Sequence, residues 1–298
     1  MRRAVPLLLA LICLLAVPAS ASARFTVGLG DQNPATYDLK RVDALHLKTA
    51  RYVVNWDWYR DPARVAITDQ WVANVRAAGL RPLIAFNRNW VPSGLHKLPT
   101  IPQYVQSFAL LRYRYPDVRD FGAWNEANHK TQPLARNPRM AARYYNAMRS
   151  ACPRCNIIAA DVLDDPGMPA WIQTFKRYAH HPRLWGLHNY RDANRGTGAT
   201  AGFMRLVKGT VWLTETGGIR RTDHRAHGSR VSKYRASLVK QAAAVRRVFD
   251  IARSYHRIRR VYFYQWRRDG NSPWDSAFTN LDGSPRPALR ALRSELGL

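Results

Sequence analysis

The chain is poor in cysteine and poor in acid. Its 298 residues include only 3 cysteines, too few for the disulfide framework that holds a small secreted scaffold together. Cys13 lies inside an apolar N-terminal stretch with no small residue before it, so a lipid-anchored N-terminus is not expected. The other two stand in Cys152-Pro153-Arg154-Cys155. That spacing fits a local disulfide, a redox motif or half of a zinc site. Zinc needs four ligands and there is no second cysteine pair, while a redox motif belongs near the start of a short domain and this pair lies mid-chain. The reading is a structural Cys152–Cys155 disulfide.

Acidic residues number 20 against 47 Lys and Arg, a formal net charge of +27. Such a field attracts anionic partners such as an acidic polysaccharide, a cell-wall polymer, a lipid surface or nucleic acid. The basic residues are scattered, and no nucleic-acid motif with interleaved aromatics is present. Specific nucleic-acid binding is therefore not expected; the charge reads first as an arginine-biased composition on a solvated surface, with an acidic glycan or cell-wall polymer as the alternative partner that it favours.

Beyond the N-terminus no apolar run is long enough for a membrane helix. The N-terminus itself reads as an export leader. Arg2 and Arg3 precede an apolar run over 7–17, and Ala21-Ser22-Ala23 offers a small-x-small cleavage site. The run falls short of the roughly 20 residues that span a bilayer. A leader over 1–23, cleaved after Ala23, gives an exported, secreted protein starting at Arg24; a retained signal anchor is the alternative. Also missing are a G-x-G-x-x-G loop and a Walker motif, so neither a dinucleotide nor a P-loop fold is expected and no cofactor is implied.

What the chain does have is periodic. Strand-like runs over 25–30, 50–55, 81–87, 121–124, 157–161, 184–190, 211–215 and 260–266 alternate with helical stretches over 37–47, 64–78, 101–114, 139–149, 169–178, 200–207, 232–255 and 287–295. Strict alternation implies parallel strands with crossover helices. Eight units in this length imply a closed (β/α)8 TIM barrel, one domain over 24–298, expected as a monomer. With 10 Trp and 46% hydrophobic residues the chain has enough to fill such a core.

A barrel of this kind collects its functional side chains where the strands end. At those ends stand Asp31, Asn55, Asn87, Asn125, Glu126, Asp161, His188, Tyr190, Glu215 and Trp266, with Trp90 in the third loop. The fourth strand runs into Ala123-Trp124-Asn125-Glu126-Ala127-Asn128 and the seventh into Leu213-Thr214-Glu215-Thr216-Gly217-Gly218. One glutamate at a strand end is ordinarily a surface or ion-paired group. Two delivered to one rim meet the need of glycoside hydrolysis for a proton donor and a nucleophile. Asp223, His224 and His227 offer a weaker metal-like grouping, but no fourth ligand accompanies them and no metal is expected.

Asn125-Glu126 on strand four with Glu215 on strand seven resembles the large clan of retaining (β/α)8 glycosidases, and the 281–288 tail is similar to that of the β-xylosidase/iduronidase and endoglucanase-like families. The resemblance implies an O-glycosyl hydrolase with Glu126 as acid/base, kept protonated by a raised pKa, and Glu215 as ionised nucleophile. It implies that Asn125 serves the sugar 2-hydroxyl, that His188 and Tyr190 stand near the nucleophile, and that Trp266 floors the sugar site. Asn55, Asn87, Trp90 and Asp31 join them as substrate-binding candidates. The chain departs from the clan pattern in two places. Ala127 stands where proline often follows the acid/base, and Asn55, not arginine, ends strand two, with Arg51 early in that strand. A non-catalytic carbohydrate- or cell-wall-binding barrel and a transglycosidase using the same two glutamates are the rival readings.

Overall fold

The computed structural model describes residues 25–226, 229–232, 237–268 and 272–298. The leader expected over 1–23 and His227 lie outside them, as do the side chains of Asp223 and His224.

Strands β1 (Thr26–Leu29), β2 (Thr49–Asn55), β3 (Arg81–Asn87), β4 (Asp120–Gly122) and β5 (Asn156–Ile158) pair in parallel with their neighbours. On the other side of β1 the order runs to β11 (Ile258–Phe263), β8 (Thr210–Thr216), β7 (Leu184–His188) and β6 (Asp161–Leu163). The series thus begins on β5 and ends on β6, which are separated by Ala159 and Ala160 alone. Those two residues face the opposite seam: the Ala159 N–H donates to Leu184 O, and the Gly186 N–H donates to Ala160 O, each at 2.9 Å. β5 and β6 are therefore one kinked barrel strand, the fifth. The cylinder closes on eight strands, with β7, β8 and β11 as the sixth, seventh and eighth. The (β/α)8 expectation holds.

The helices start where short polar residues and prolines permit. Asp61 caps α2 (Pro62–Ala77) by accepting from the Ala63 and Arg64 N–H groups, and Pro62 opens it. Thr100 and Gln103 form a capping box on α3 (Ile101–Arg114), and Asn137 caps α4 (Pro138–Ala151). The outer ring continues with α5 (Met168–Lys176), α6 (Tyr190–Arg195), α7 (Ala199–Leu206), α8 (Leu238–Ser254) and α9 (Pro287–Leu296). Cys152, at the C-cap of α4, is bonded to Cys155 just before β5, as the spacing implies.

Two expected helices come out differently. The 37–47 stretch holds only a 3-10 turn at Pro34–Asp38 and one short turn, α1 (Lys40–Asp43), because Leu39 between them is extended (φ −78°, ψ 121°). The 232–255 helix begins later, at the Ser237 cap. Ahead of it an antiparallel hairpin forms from β9 (Arg221–Ala226) and β10 (Ser229–Ser232), and β12 (Trp274–Asp275) pairs with β9. Antiparallel partners, not helical spacing, decide that segment.

Most apolar burial lies between barrel and helices, where Trp71, Tyr104, Phe108, Tyr144, Phe175 and Trp185 are fully buried. A smaller cluster of Leu83, Ile158, Trp212 and Tyr262 fills the barrel interior. Beside it the Arg260 guanidinium lies 3.9 Å from the Trp212 ring centroid and pairs with Asp120 at 2.6 Å. Asp120 also holds Arg81 and Asn156, so one polar set sits at the N-terminal ends of the strands. A second, of Arg51, Asp161, His188 and Glu215, lies toward the C-terminal ends, the rim that carries chemistry in such a barrel.

Candidate active site

The fourth strand ends in a bend fixed by hydrogen bonds on both sides. The Asn125 N–H donates to Phe86 O at 2.7 Å and the Ala127 N–H to Asp161 O at 3.1 Å. Asn128 is locked to β6, its amide donating to Leu163 O and accepting from the Leu163 N–H. Between these anchors Glu126 adopts φ +47°, left-handed backbone that costs a side-chain-bearing residue energy. The bend turns its carboxylate over the barrel mouth.

Glu215 arrives by a different device. From Gly186 to His188 β7 advances two residues while β8 advances three, from Trp212 to Glu215. From Val261 to Phe263 β11 again advances two while β8 advances three, from Leu213 to Thr216. The extra residue is a bulge, and a bulge re-aims side chains across the pleat. Thr214 and Glu215, which would otherwise face opposite sides, both reach the interior: the Thr214 hydroxyl donates to Asp161, and Glu215 accepts from Arg51.

The two carboxylates meet at His188, which is fully buried. Its Nδ1 lies 3.1 Å from Glu126 Oε1 and 3.9 Å from Glu215 Oε2, and one donor atom from each of the three lies within 4.8 Å of the others. Its Nε2 lies 3.3 Å from Asp161 Oδ1 and 3.3 Å from Arg51 NH2. Arg51 also donates to Asp161 at 2.8 Å, to Asn125 Oδ1 at 2.5 Å and to Glu215 Oε2 at 3.0 Å, and the Tyr190 hydroxyl donates to Glu215 Oε1 at 3.1 Å. Such a trio of Glu, His and Glu offers metal-type donors. Here the Arg51 guanidinium already supplies positive charge against them, and the cluster reads as an ion-paired carboxylate site.

The electrostatics follow from burial and neighbours. Burial opposes ionisation of Asp161, but the Arg51 and His188 charges outweigh it and hold the carboxyl well below the usual range. Burial also opposes charge on His188, yet the Asp161 and Glu215 charges push its imidazole up to about 10. Glu126 departs from expectation: burial raises it, but the hydrogen bond and charge of His188 prevail and hold it below its ordinary value. Glu215 is raised, by burial first, with His188 and Arg51 pulling the other way.

A cavity of about 560 Å³ opens above the pair. Glu126, Glu215, Asn125, Tyr190, Asn87 and Trp90 line it, so six of the expected site residues come together. Trp90 is 48% exposed, with the Arg88 guanidinium 5.4 Å from its ring centroid. His188 lies beneath the cavity. Asn55 is buried beside Asn87, its partner in register, and does not line the opening. Trp266 and Asp31 stand apart from the cavity. Trp266 is 4% exposed and packs in the hydrophobic core, and its backbone N–H donates to Asp31 Oδ2 at 2.8 Å. Asp31, raised by burial, thus ties the first loop to the exit of the eighth strand. Trp266, expected to floor the sugar site, does not line the cavity, whereas the rings of Tyr264 and Trp274 do, with Trp274 meeting Tyr190 edge-on at 4.8 Å.

Arg51 is the residue that strand-end reasoning passes over. It lies four residues before Asn55 on the same face of β2, and a guanidinium reaches past the two-residue pleat above it. The alternation of the strand carried the signal, and the length of the side chain supplies the reach. Trp274 had no such signal, because β12 exists only through its pairing with β9.

No protein-family model matches the chain, and no curated protein sequence is significantly similar to it. Solved structures do match. A family 39 glycoside hydrolase from Bacteroides cellulosilyticus WH2 superposes with a TM-score of 0.61 at 16% identity, covering 92% of this chain and 63% of that one. The chain thus spans less than two thirds of that protein's length. Xylanase XynB from Paenibacillus barcinonensis gives 0.67 at 12% identity over 90% and 95% of the two chains, and xylanase 10B from Thermotoga maritima gives 0.63 at 11% over 92% and 95%. At these identities what is shared is the fold, the (β/α)8 barrel of those glycoside hydrolases.

Proposed function

We propose that the protein is an exported glycoside hydrolase that cleaves β-glycosidic bonds with net retention, Glu126 acting as acid/base and Glu215 as nucleophile. The observation that carries this reading is the facing pair itself. Two carboxylates from the ends of the fourth and seventh strands face each other at the floor of the rim cavity, with one oxygen of each within 4.8 Å of the other. Inverting enzymes keep their carboxyls about 6.5–9.5 Å apart to admit a water, whereas retaining enzymes hold them at about 5–5.5 Å. The short approach supports retention.

The surrounding groups fit those roles. Glu215 attacks the anomeric carbon while Arg51 and the Tyr190 hydroxyl steady its charge. Glu126 protonates the departing oxygen, then takes the proton of the water that releases the sugar. Asn125 spends its Oδ1 on Arg51, leaving its Nδ2 amide for the 2-hydroxyl. Tyr190, Trp274 and Trp90 offer faces for sugar rings. Among the described residues lining the cavity, Glu126 and Glu215 are the only carboxylates, and Arg64 and His129 line it too. With the +27 charge this supports an acidic or wall-derived glycan as substrate.

The test is trapping with 2-fluoro glycosyl fluorides, xylosyl and glucosyl first because the similar structures are named xylanases and a β-glucosidase, then glucuronyl. An adduct on Glu215 by peptide mapping, absent in Glu215→Ala, is expected. Sugar release with inversion would overturn the assignment, and a glycan-binding protein that neither labels nor turns over would point to a binding barrel.

A further inference from the structure

We propose that His188 holds the proton that Glu126 delivers, so that the resting general acid is the Glu126–His188 pair and not the glutamic acid alone. The inference rests on the proposed roles of Glu126 and Glu215.

It starts from the place of the ring. His188 comes from β7 and is buried from solvent, with Nδ1 facing both glutamates, at 3.1 Å from Glu126 Oε1 and 3.9 Å from Glu215 Oε2. Each neighbouring element presents a charged or titratable group to the ring or to its partners. β6 sets Asp161 Oδ1 at 3.3 Å from Nε2, and β2 sets Arg51 NH2 at 3.3 Å from the same nitrogen. β8 supplies Glu215, the bend after β4 supplies Glu126, the Tyr190 hydroxyl of α6 is turned to Glu215, and Arg88 and His129 bear on Glu126.

The charge count decides where the proton rests. Asp161, Glu126 and Glu215 are three carboxylates gathered around one guanidinium. A neutral ring would leave two negative charges uncompensated below the cavity, and an imidazolium reduces this to one. Moving the same proton to Glu126 would leave the total unchanged but would strand a neutral ring beside Asp161, which burial and Arg51 keep ionised. Arg51 opposes a charged ring, but its own charge is shared between Asp161 at 2.8 Å and Glu215 at 3.0 Å. An elevated imidazole pKa agrees with this count.

The step balances. The Nδ1–H bond breaks with its electron pair staying on the ring, and an O–H bond forms on Glu126. The carboxylic acid passes its proton to the glycosidic oxygen as the C–O bond breaks toward that oxygen, while Glu215 bonds the anomeric carbon. His188 is then neutral and Glu215 esterified, so the cluster keeps the same net charge. In the second half the proton of the attacking water goes to Glu126 and back to Nδ1, and Glu215 leaves as carboxylate. His188 acts through Glu126 and is a positioning residue, not one that touches the sugar.

The experiment is a pH titration of the full chain labelled with 15N-histidine, read by two-bond ring NMR, with the His188 signals identified by their loss in His188→Gln. An imidazolium persisting through pH 8 is expected, with its midpoint falling by at least one pH unit in Glu126→Gln. In turnover, His188→Gln should move the basic limb of the kcat/KM profile at least one pH unit toward acid. A ring neutral at pH 7, or a basic limb unmoved in His188→Gln, would overturn the proposal. If His188→Gln does not fold, Asp161→Asn and Glu126→Gln identify and test the ring through the midpoint that shifts. The ring titration needs no substrate. An imidazolium that tracks Glu126 in a protein without turnover would support the proton's place and sink the hydrolase reading, while a neutral ring sinks this proposal whatever the turnover.

Discussion

Arg51 donates to Glu215 Oε2 at 3.0 Å across the barrel interior, and the same guanidinium holds Asp161 at 2.8 Å and Asn125 at 2.5 Å. One side chain thereby links β2, the bend after β4, β6 and β8. Its charge offsets the gathering of two further carboxylates next to the buried Asp161.

Removing that charge should be expensive. Arg51→Met would leave Asp161 and Glu215 short of their cation, and stranding a buried charge costs roughly 3–5 kcal/mol. Urea unfolding should register a loss of that order. Arg51→Lys keeps the charge but not the fork, so it should fold with a smaller loss and a lower kcat. Wild-type stability in Arg51→Met would show that the network does not bear on folding.

Gly186 makes room for the same network. A Cβ there would overlap Asp161 Oδ1 and press on Thr214 Oγ1. Gly186→Ala should therefore displace the Asp161 carboxylate and cost about 1–3 kcal/mol, as overpacking does. The thermal midpoint should fall and turnover with it, and an unchanged midpoint would mean that the strand yields freely.

The two tryptophans should separate cleanly. Trp266 packs in the core, so Trp266→Ala should lose about 3–5 kcal/mol of stability. Trp274 faces the cavity beside Tyr190, so Trp274→Ala should raise KM or weaken glycan binding with a smaller change in melting. Calorimetry and glycan titration on both variants check this, and the reverse pattern would put the sugar floor back at Trp266.

Stability should fall on the alkaline side. The His188 pKa is raised from 6.5 to about 10 in the folded protein. A raised basic group contributes fully below its unfolded pKa and loses that contribution as pH rises through the folded value, so the decline runs from about pH 6.5 to 10. Unfolding free energies across that window should decrease, and the decrease should be smaller in His188→Gln. Equal slopes in the two proteins would assign the decline to other groups.

The catalytic pair should show a split signature. Glu126→Ala should slow hydrolysis of substrates with poor leaving groups by roughly 10²–10⁴-fold, while spending little of the rate on dinitrophenyl glycosides in the first step. Added azide should rescue the second step and give a β-glycosyl azide. Glu215→Ala should lose both kinds of turnover, and azide should give the α-product if any. Steady-state kinetics and NMR of the azide adduct read the outcome.

The sequence by itself determined the alternation of eight strands and helices, the Cys152–Cys155 bridge and the place of the two glutamates at strands four and seven. These are local: hydrophobic period and proline act within a few residues of themselves. Only the tertiary structure decided how the site is wired. The bulge on β8 that turns both Thr214 and Glu215 inward depends on slippage against β7 and β11. The reach of Arg51 depends on what stands across the barrel. The exclusion of Trp266 and Asp31 depends on their finding each other, and the presence of Trp274 depends on β12 pairing with β9. Most telling is Glu126. The acid/base role implied by the resemblance predicts a raised carboxyl, and a histidine 62 residues away holds it low instead, because charge acts through space and the chain order carries no distances.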